Sequence, residues 1–251
     1  MRKNKVIDLV YSFSAIGDSL YKRYLMNPFS PEAFFDLSDF EHTALFKKEE
    51  PVWASLKRIQ DYLSSLSLGK ILGVVEEGAY LVDSELISIG KGTVVEPGAY
   101  IKGPCIIGEN CSIRHGAYIR GGLIVGNTCV IGHATEVKNS IFLNGAQASH
   151  FAYVGDSILG NHVNLGAGTK CANLRFDNKT VNIHLNGTSI DSELRKLGVI
   201  MGDFSLTGCN SVTNPGTLMG KGSRLAPCAT ACGVIPAHSI IKTPANSLVS
   251  L

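Results

Sequence analysis

The sequence predicts an all-β solenoid, a parallel β-helix of six-residue rungs with a short helical region in front. Two observations carry this. Ile89, Val95, Ile101, Ile107, Ile113, Ile119, Val125, Ile131, Val137 and Leu143 fall on every sixth position, and Gly90, Gly108, Gly126 and Gly132 directly follow four of them. Neither a helix of 3.6 residues per turn nor an alternating strand gives an unbroken period of six. A solenoid does, with three short strands and three corners closing a coil of 18 residues around an aliphatic core.

The region before the repeat, residues 1–68, reads as a helical cap. Ser30-Pro31-Glu32 has the features of a helix start: a capping serine, a proline at the first helical position and an acid near the positive dipole end. Val52, Trp53, Leu56, Ile59, Leu63 and Leu66 recur at three- and four-residue spacing, with Lys57, Arg58 and Asp61 on the other side. The opening MRKNKVIDLVYSF has a short apolar run interrupted by Asp8 and no small-residue cleavage site, so it is not read as a signal peptide.

Residues 69–251 are expected to form the β-helix. The phase slips near Ser149 and resumes at Val154, Leu159 and Leu165. It returns at Met201, Thr207, Thr213, Met219, Leu225 and Ala231, with Leu206, Val212 and Leu218 one position earlier. Between 173 and 198 the period is lost. That stretch alternates and contains Asn186-Gly187, a pair suited to a tight hairpin turn. Insertions in solenoids map to loops on one face. The segment is therefore expected to be an arm that leaves the body and reaches a neighbouring subunit, the alternative being a plain surface hairpin.

Composition narrows the function. A net charge of +2 gives no nucleic-acid or polybasic membrane signature, and no segment approaches the roughly 20 apolar residues of a membrane span. Seven cysteines without a zinc-type pair argue against a disulfide framework or structural zinc and fit reduced thiols in a cytoplasm. Cys111 and Cys129, one coil apart, are read as packing residues.

Residues 18 apart should stack. Lys102, Arg120 and Lys138 then form a ladder of cations, and His115 and His133 a second stacked set. Like charges on adjacent strands repel, so the ladder is either a solvated basic stripe or an anion site gripping a phosphate. Next to the slip lies ASHFAYVGDSILGNHVNLGAGTKCANLRFDNK, with His150, Tyr153, His162, Asn164 and Asn173 among small residues. A histidine there is either a corner group or a base for acyl transfer.

The motifs IRGG, GNTCVIGHATEVKNS, ASHFAYVGDS and NLGAGTKCAN, from Arg120 to Asn173, resemble the acetyltransferase half of the bifunctional N-acetylglucosamine-1-phosphate uridyltransferase/glucosamine-1-phosphate acetyltransferases. The stretches ANLRFDNKTVNIHLNG and DSELRKLGVIMGD look more like the archaeal-type sugar-1-phosphate nucleotidylyltransferase/acetyltransferases. The resemblance spans roughly residues 75–243. It implies a left-handed β-helix and a homotrimer with active sites between subunits. The implied reaction is transfer of acetyl from acetyl-CoA to the amine of a hexosamine 1-phosphate, glucosamine- or galactosamine-1-phosphate, without a metal.

Carried over by motif, His150 is the general base. Arg120 and Lys138 hold the phosphate, and Tyr153, Asn164 and Asn173 contact the sugar. Lys179 in the arm completes the phosphate site, and Ala167 and Cys209 line the acetyl-CoA channel. Leu174 stands where the bacterial bifunctional enzymes have tyrosine, which leaves the sugar open. Residues 1–66 are too short for a nucleotidyltransferase domain and lack its glycine-rich loop, so uridyl transfer is not expected. Backbone N–H groups near Gly166 to Gly168 are candidate oxyanion donors, and Cys171 is read as a corner residue rather than a nucleophile. Two alternatives stay open: acylation of another amino, hydroxy or nucleotide-linked sugar, and a non-catalytic solenoid that assembles or binds partners. A γ-carbonic-anhydrase-type metal site is disfavoured, because that family's closely spaced histidine pair is absent.

Overall fold

The computed structural model describes residues 27–185 and 187–243. The chain winds into a three-sided parallel β-helix of about nine coils, its sides being sheets of nine, eight and eight short strands. In chain order these are face 1, starting at Val74–Val75, face 2, starting at Tyr80–Val82, and face 3, starting at Ile87–Ile89. Every pairing in the three faces is parallel.

The six-residue period fills the core as expected. Ile89, Val95, Ile101, Ile107, Ile113, Ile119, Val125, Ile131 and Val137 are all buried in one axial cluster. Leu143 is not part of it. The pairs Val125↔Phe142 and Ile131↔Ala148 are 17 residues apart, whereas Ile119↔Val137 are 18 apart. The slip therefore falls at Asn139, ten residues before the position expected, and recurs one coil later at Asp156, where Phe142↔Leu159 are again 17 apart. Asn139 turns the corner alone, with φ of 43°, where the coil below uses Gly121 and Gly122. Phe142 is the inward residue, and Leu143 packs outside.

Face 3 is covered on both sides. Its outward column of Ile124, Ile141, Ile158, Ile200 and Leu218 is buried beneath Phe34, Phe40, Leu45, Leu56, Ile59 and Leu63 of the N-terminal segment. Its strands accordingly read as continuous apolar runs, such as Leu123-Ile124-Val125 and Val199-Ile200-Met201, rather than alternating ones. The covering segment contains α1 (Pro31–Phe34) and α2 (Ala54–Ser64). In α2, Leu56, Ile59 and Leu63 face inward as their spacing predicts. Ser30 precedes α1, but its side chain makes no capping bond, and the helix is only one turn long. The segment is pinned to the solenoid by buried Asp203, whose carboxylate accepts the Asp36 N–H at 2.6 Å and the Asn161 N–H at 2.7 Å.

The arm at 173–198 contains an antiparallel hairpin of Asn182–Leu185 and Thr188–Asp191. Asn186 lies outside the described residues. The arm does not leave the body along its whole length: Val181, Ile183 and Leu197 are buried against face 3 with Leu218. The loop at 174–180 is largely exposed, with Phe176 fully so, as are Gly187 to Ser189 at the end of the hairpin. No helix among the described residues is long and apolar enough to cross a membrane.

Candidate active site

Face 2 has two edges, and the predicted residues divide between them. The corner from face 2 to face 3 carries the cations. Register places Lys138 over Arg120, since Val137 pairs with Ile119. Arg120 donates to Glu136 at 2.8 Å, a bond that holds the guanidinium above its ordinary pKa. Lys138 Nζ donates to Asp156 at 2.6 Å. Arg120 and Lys138 each have a carboxylate partner, whereas Lys102, the third cation of the expected ladder, is exposed and makes no ion pair among the described residues.

Asp156 organises the cluster and went unnoticed in the sequence. It is buried, adopts φ of 50°, and accepts hydrogen bonds from Lys138, from Asn139 at 3.0 Å and from Asn173 at 2.5 Å. Asn173 also donates to the Tyr153 hydroxyl at 3.2 Å, and burial pushes the Tyr153 phenol above its usual pKa. The signal in the sequence was the GDS tripeptide after Tyr153: a glycine without a side chain, then an acid at a corner. A Cβ on Gly155 would lie 2.6 Å from the Tyr153 hydroxyl and 2.7 Å from the Asn173 amide, so the two side chains meet in the space that glycine leaves open.

The corner from face 1 to face 2 carries His150. His115 and His133 stack beneath it, with ring centroids 5.5 Å apart and planes 11° off parallel. His133 pairs with His150 in register. The Nδ1 atoms of His115 and His133 lie 2.6 and 2.8 Å from the carbonyls of Pro97 and His115, which fixes those nitrogens as protonated donors. His150 is exposed and makes no side-chain hydrogen bond among the described residues. Above it on the same corner come Ala167 and then Cys209, because Ala148 pairs with Leu165 and Leu165 with Thr207. The Gly168 N–H donates to the His150 carbonyl at 3.0 Å and the Gly166 N–H to the Thr207 carbonyl at 2.9 Å. The Ala167 N–H makes no hydrogen bond among the described residues.

The expectation is that Arg120 and Lys138 look toward His150; in the chain His150 and Gly155, the residue above Lys138, stand five positions apart across face 2, up to roughly 16 Å of strand. Lys138 bonds to Asp156 on its own corner, whereas Arg120 reaches back across face 2 to Glu136, two residues before Lys138. Asn164 is exposed on face 1, paired with Gln147 and Leu206, in the strand next to the one that ends in His150. Lys179 is exposed on the loop at 174–180, where its N–H is held by Asp177 at 3.3 Å. Cys171 is completely buried, and burial pushes its thiol up to about 12, so at neutral pH it is neither thiolate nor accessible.

Comparison with known proteins bears out the relationship suggested by the motifs. Residues 101–193 match the family model described as the GMPPB C-terminal domain. The bifunctional sugar-1-phosphate nucleotidylyltransferase/acetyltransferase of Sulfurisphaera tokodaii is 43% identical over 90 residues, 36% of this chain and 22% of that protein. The bifunctional protein GlmU of Methanocaldococcus jannaschii is 44% identical over 84 residues, 34% of this chain and 20% of that protein. The chain thus spans about a fifth of the length of the curated relatives it matches. Among solved structures, UDP-N-acetylglucosamine acyltransferase from Campylobacter jejuni aligns with a TM-score of 0.41 and 18% identity, covering 66% of this chain and 69% of that one.

Proposed function

We propose that the protein transfers an acetyl group from acetyl-CoA to the amine of a hexosamine 1-phosphate, in a site made by two copies of the chain. The observation that carries the reading is the division of the site between the two edges of face 2. His150, Ala167 and Cys209 lie on one edge, and Arg120, Lys138, Tyr153 and Asn173 belong to the cluster at the other. The amine and phosphate of a hexosamine 1-phosphate sit on adjacent carbons, too close together to span that face. A rotationally symmetric assembly, the homotrimer implied by the resemblance, sets the His150 edge of one copy against the cationic edge of the next and removes the gap.

In this reading the sugar amine attacks the thioester carbonyl carbon. His150 takes the amine proton as the C–N bond forms, and the C–S bond breaks to release the CoA thiolate. The unpaired Ala167 N–H donates to the developing oxyanion. Arg120 and Lys138 exchange part of their carboxylate pairing for the phosphate, and Asn173 with Tyr153 orients the sugar.

The test is release of CoA thiol from acetyl-CoA with glucosamine 1-phosphate, galactosamine 1-phosphate and UDP-linked amino sugars. The hexosamine 1-phosphates are expected to react, His150→Ala to lose about 10²- to 10⁴-fold in kcat, and Arg120→Ala to raise the KM for the phosphorylated sugar. Full activity in His150→Ala sinks the assignment. The carboxylate partners of Arg120 and Lys138 favour a second reading, acylation of a differently substituted or nucleotide-linked amino sugar. Indifference to Arg120→Ala selects it.

A further inference from the structure

Phe151, directly after His150, holds an aromatic ring at the surface on a strained backbone. Its φ is 52°, a left-handed conformation that a bulky side chain adopts at a cost, and the residue is 53% exposed. We propose that the Phe151 ring is the platform on which the acceptor sugar lies while its amine meets His150. The inference rests on the hexosamine 1-phosphate reading above and assigns that site a residue for the pyranose ring itself.

The corner explains the backbone but not the ring. Three residues past the inward residue of face 1, the chain turns with positive φ at Gly98, Gly116, Ala134, Phe151, Gly168 and Asn210. Register makes these a column, because Val95, Ile113, Ile131, Ala148, Leu165 and Thr207 pair in succession. Phe151 is the one aromatic side chain among the described members of the column. It gains little packing there: its ring meets that of His133 at 5.3 Å with the planes 79° apart, and half of the residue stays in water. Phe204, the other phenylalanine with positive φ, lies on the corner from face 3 to face 1. It stacks nearly flat on His162, at 5.3 Å and 19°, so a partner in the chain accounts for that ring. Strain kept at Phe151 without a packing return points to a task outside the chain.

Position gives the ring its ligand. The Phe151 N–H donates to the His133 carbonyl at 2.9 Å, and Lys170 Nζ donates to the Phe151 carbonyl at 3.1 Å, so the backbone beneath the ring is tied on both sides. The ring reaches down to His133, which lies under His150 in register. The coil of His133 continues to Lys138 at the next corner, as that of His115 does to Arg120. When the two edges of face 2 from neighbouring copies meet at equal height, Phe151 lies opposite Lys138, below His150 and above Arg120. A hexosamine 1-phosphate with its amine at His150 and its phosphate at the two cations has its pyranose ring between them, against Phe151. A pyranose offers C–H groups on its faces and hydroxyls around its rim. An aromatic ring covers such a face without leaving a polar group unpaired.

The experiment compares the full chain with Phe151→Asn and Phe151→Tyr. Asparagine keeps the turn, since Asn210 takes φ of 55° in the same column, and removes the ring. In Phe151→Asn the KM for the hexosamine 1-phosphate is expected to rise about tenfold, the loss of one aromatic contact. The KM for acetyl-CoA and the melting temperature are expected to hold. Phe151→Tyr is expected to recover the sugar binding that Phe151→Asn loses. An unchanged sugar KM in Phe151→Asn, an equal rise for both substrates, or no recovery in Phe151→Tyr overturns the proposal. So does a smaller sedimenting mass of Phe151→Asn, which makes the ring a contact between copies. Calorimetric titration with glucosamine 1-phosphate and galactosamine 1-phosphate separates the two levels of inference. Wild type that binds either one yet transfers no acetyl removes the catalytic reading, and the platform then stands or falls with the affinity of Phe151→Asn. Wild type that binds neither removes both.

Discussion

Gly155 is where the candidate site depends most directly on a single residue. The Tyr153 ring and the Asn173 amide meet in the space a Cβ would take, and the Asn173 bonds to Tyr153 and Asp156 pass through it. The clashing atoms are side-chain ends rather than backbone, so Gly155→Ala is expected to leave the fold intact while displacing both groups. Loss of one or two such bonds, about 1–3 kcal/mol, corresponds to a fall of roughly 5- to 150-fold in kcat/KM with the sugar substrate. Steady-state kinetics beside a thermal melt checks this. Wild-type kinetics in Gly155→Ala would show that the Tyr153–Asn173–Asp156 arrangement has no part in the reaction.

At the level of elements, the N-terminal segment is held to face 3 by apolar contact and by a few polar groups that answer to pH. His42 is buried, with its Nδ1 2.9 Å from the Tyr62 hydroxyl of α2. Burial lowers its pKa below 6.5, against a smaller opposing effect of Glu41. In the unfolded chain His42 takes a proton near pH 6.5, whereas in the folded segment it resists until lower pH. The stabilising contribution is therefore complete above pH 6.5 and declines as pH falls below it, by at most about 1.4 kcal/mol per pH unit. Protection of the α2 amides, corrected for the slowing of intrinsic exchange, is expected to fall between pH 7 and pH 5, and His42→Gln to flatten that dependence. Equal pH dependence in the two proteins removes His42 as the cause.

Across the whole molecule, the axial core sorts the cysteines. Cys105, Cys111, Cys129 and Cys171 are buried, and Cys209, Cys228 and Cys232 are exposed. Burial pushes Cys105 and Cys171 up to about 12, and the Cys129 backbone N–H donates to the Cys111 sulfur at 3.4 Å, as stacking one coil apart requires. A solenoid contacts itself only between neighbouring coils, so the inner thiols become reachable when coils separate. Native protein at pH 8 is expected to react with a thiol reagent at three sites of seven, and at all seven after denaturation. Rapid modification of Cys171 in the native state would show that the core opens far below the global unfolding free energy.

The six-residue period was legible in the sequence because an inward position recurs whatever its neighbours do, and Ile89 to Val137 record it one residue at a time. Covering of face 3 was equally written, in runs such as Leu123-Ile124-Val125, which alternation alone would not produce. The motifs identified His150, Arg120, Lys138, Tyr153 and Asn173 as a set. They did not give the distribution of that set over two edges of face 2, nor Asp156 as the acceptor joining Lys138, Asn139 and Asn173. The site of the slip, at Asn139, was hidden because both Phe142 and Leu143 are apolar and either satisfies the pattern. A period fixes which side chains point inward, since burial selects for it at each position. Which outward groups meet depends on how many residues each corner spends, and that is decided only when one coil is laid on the next.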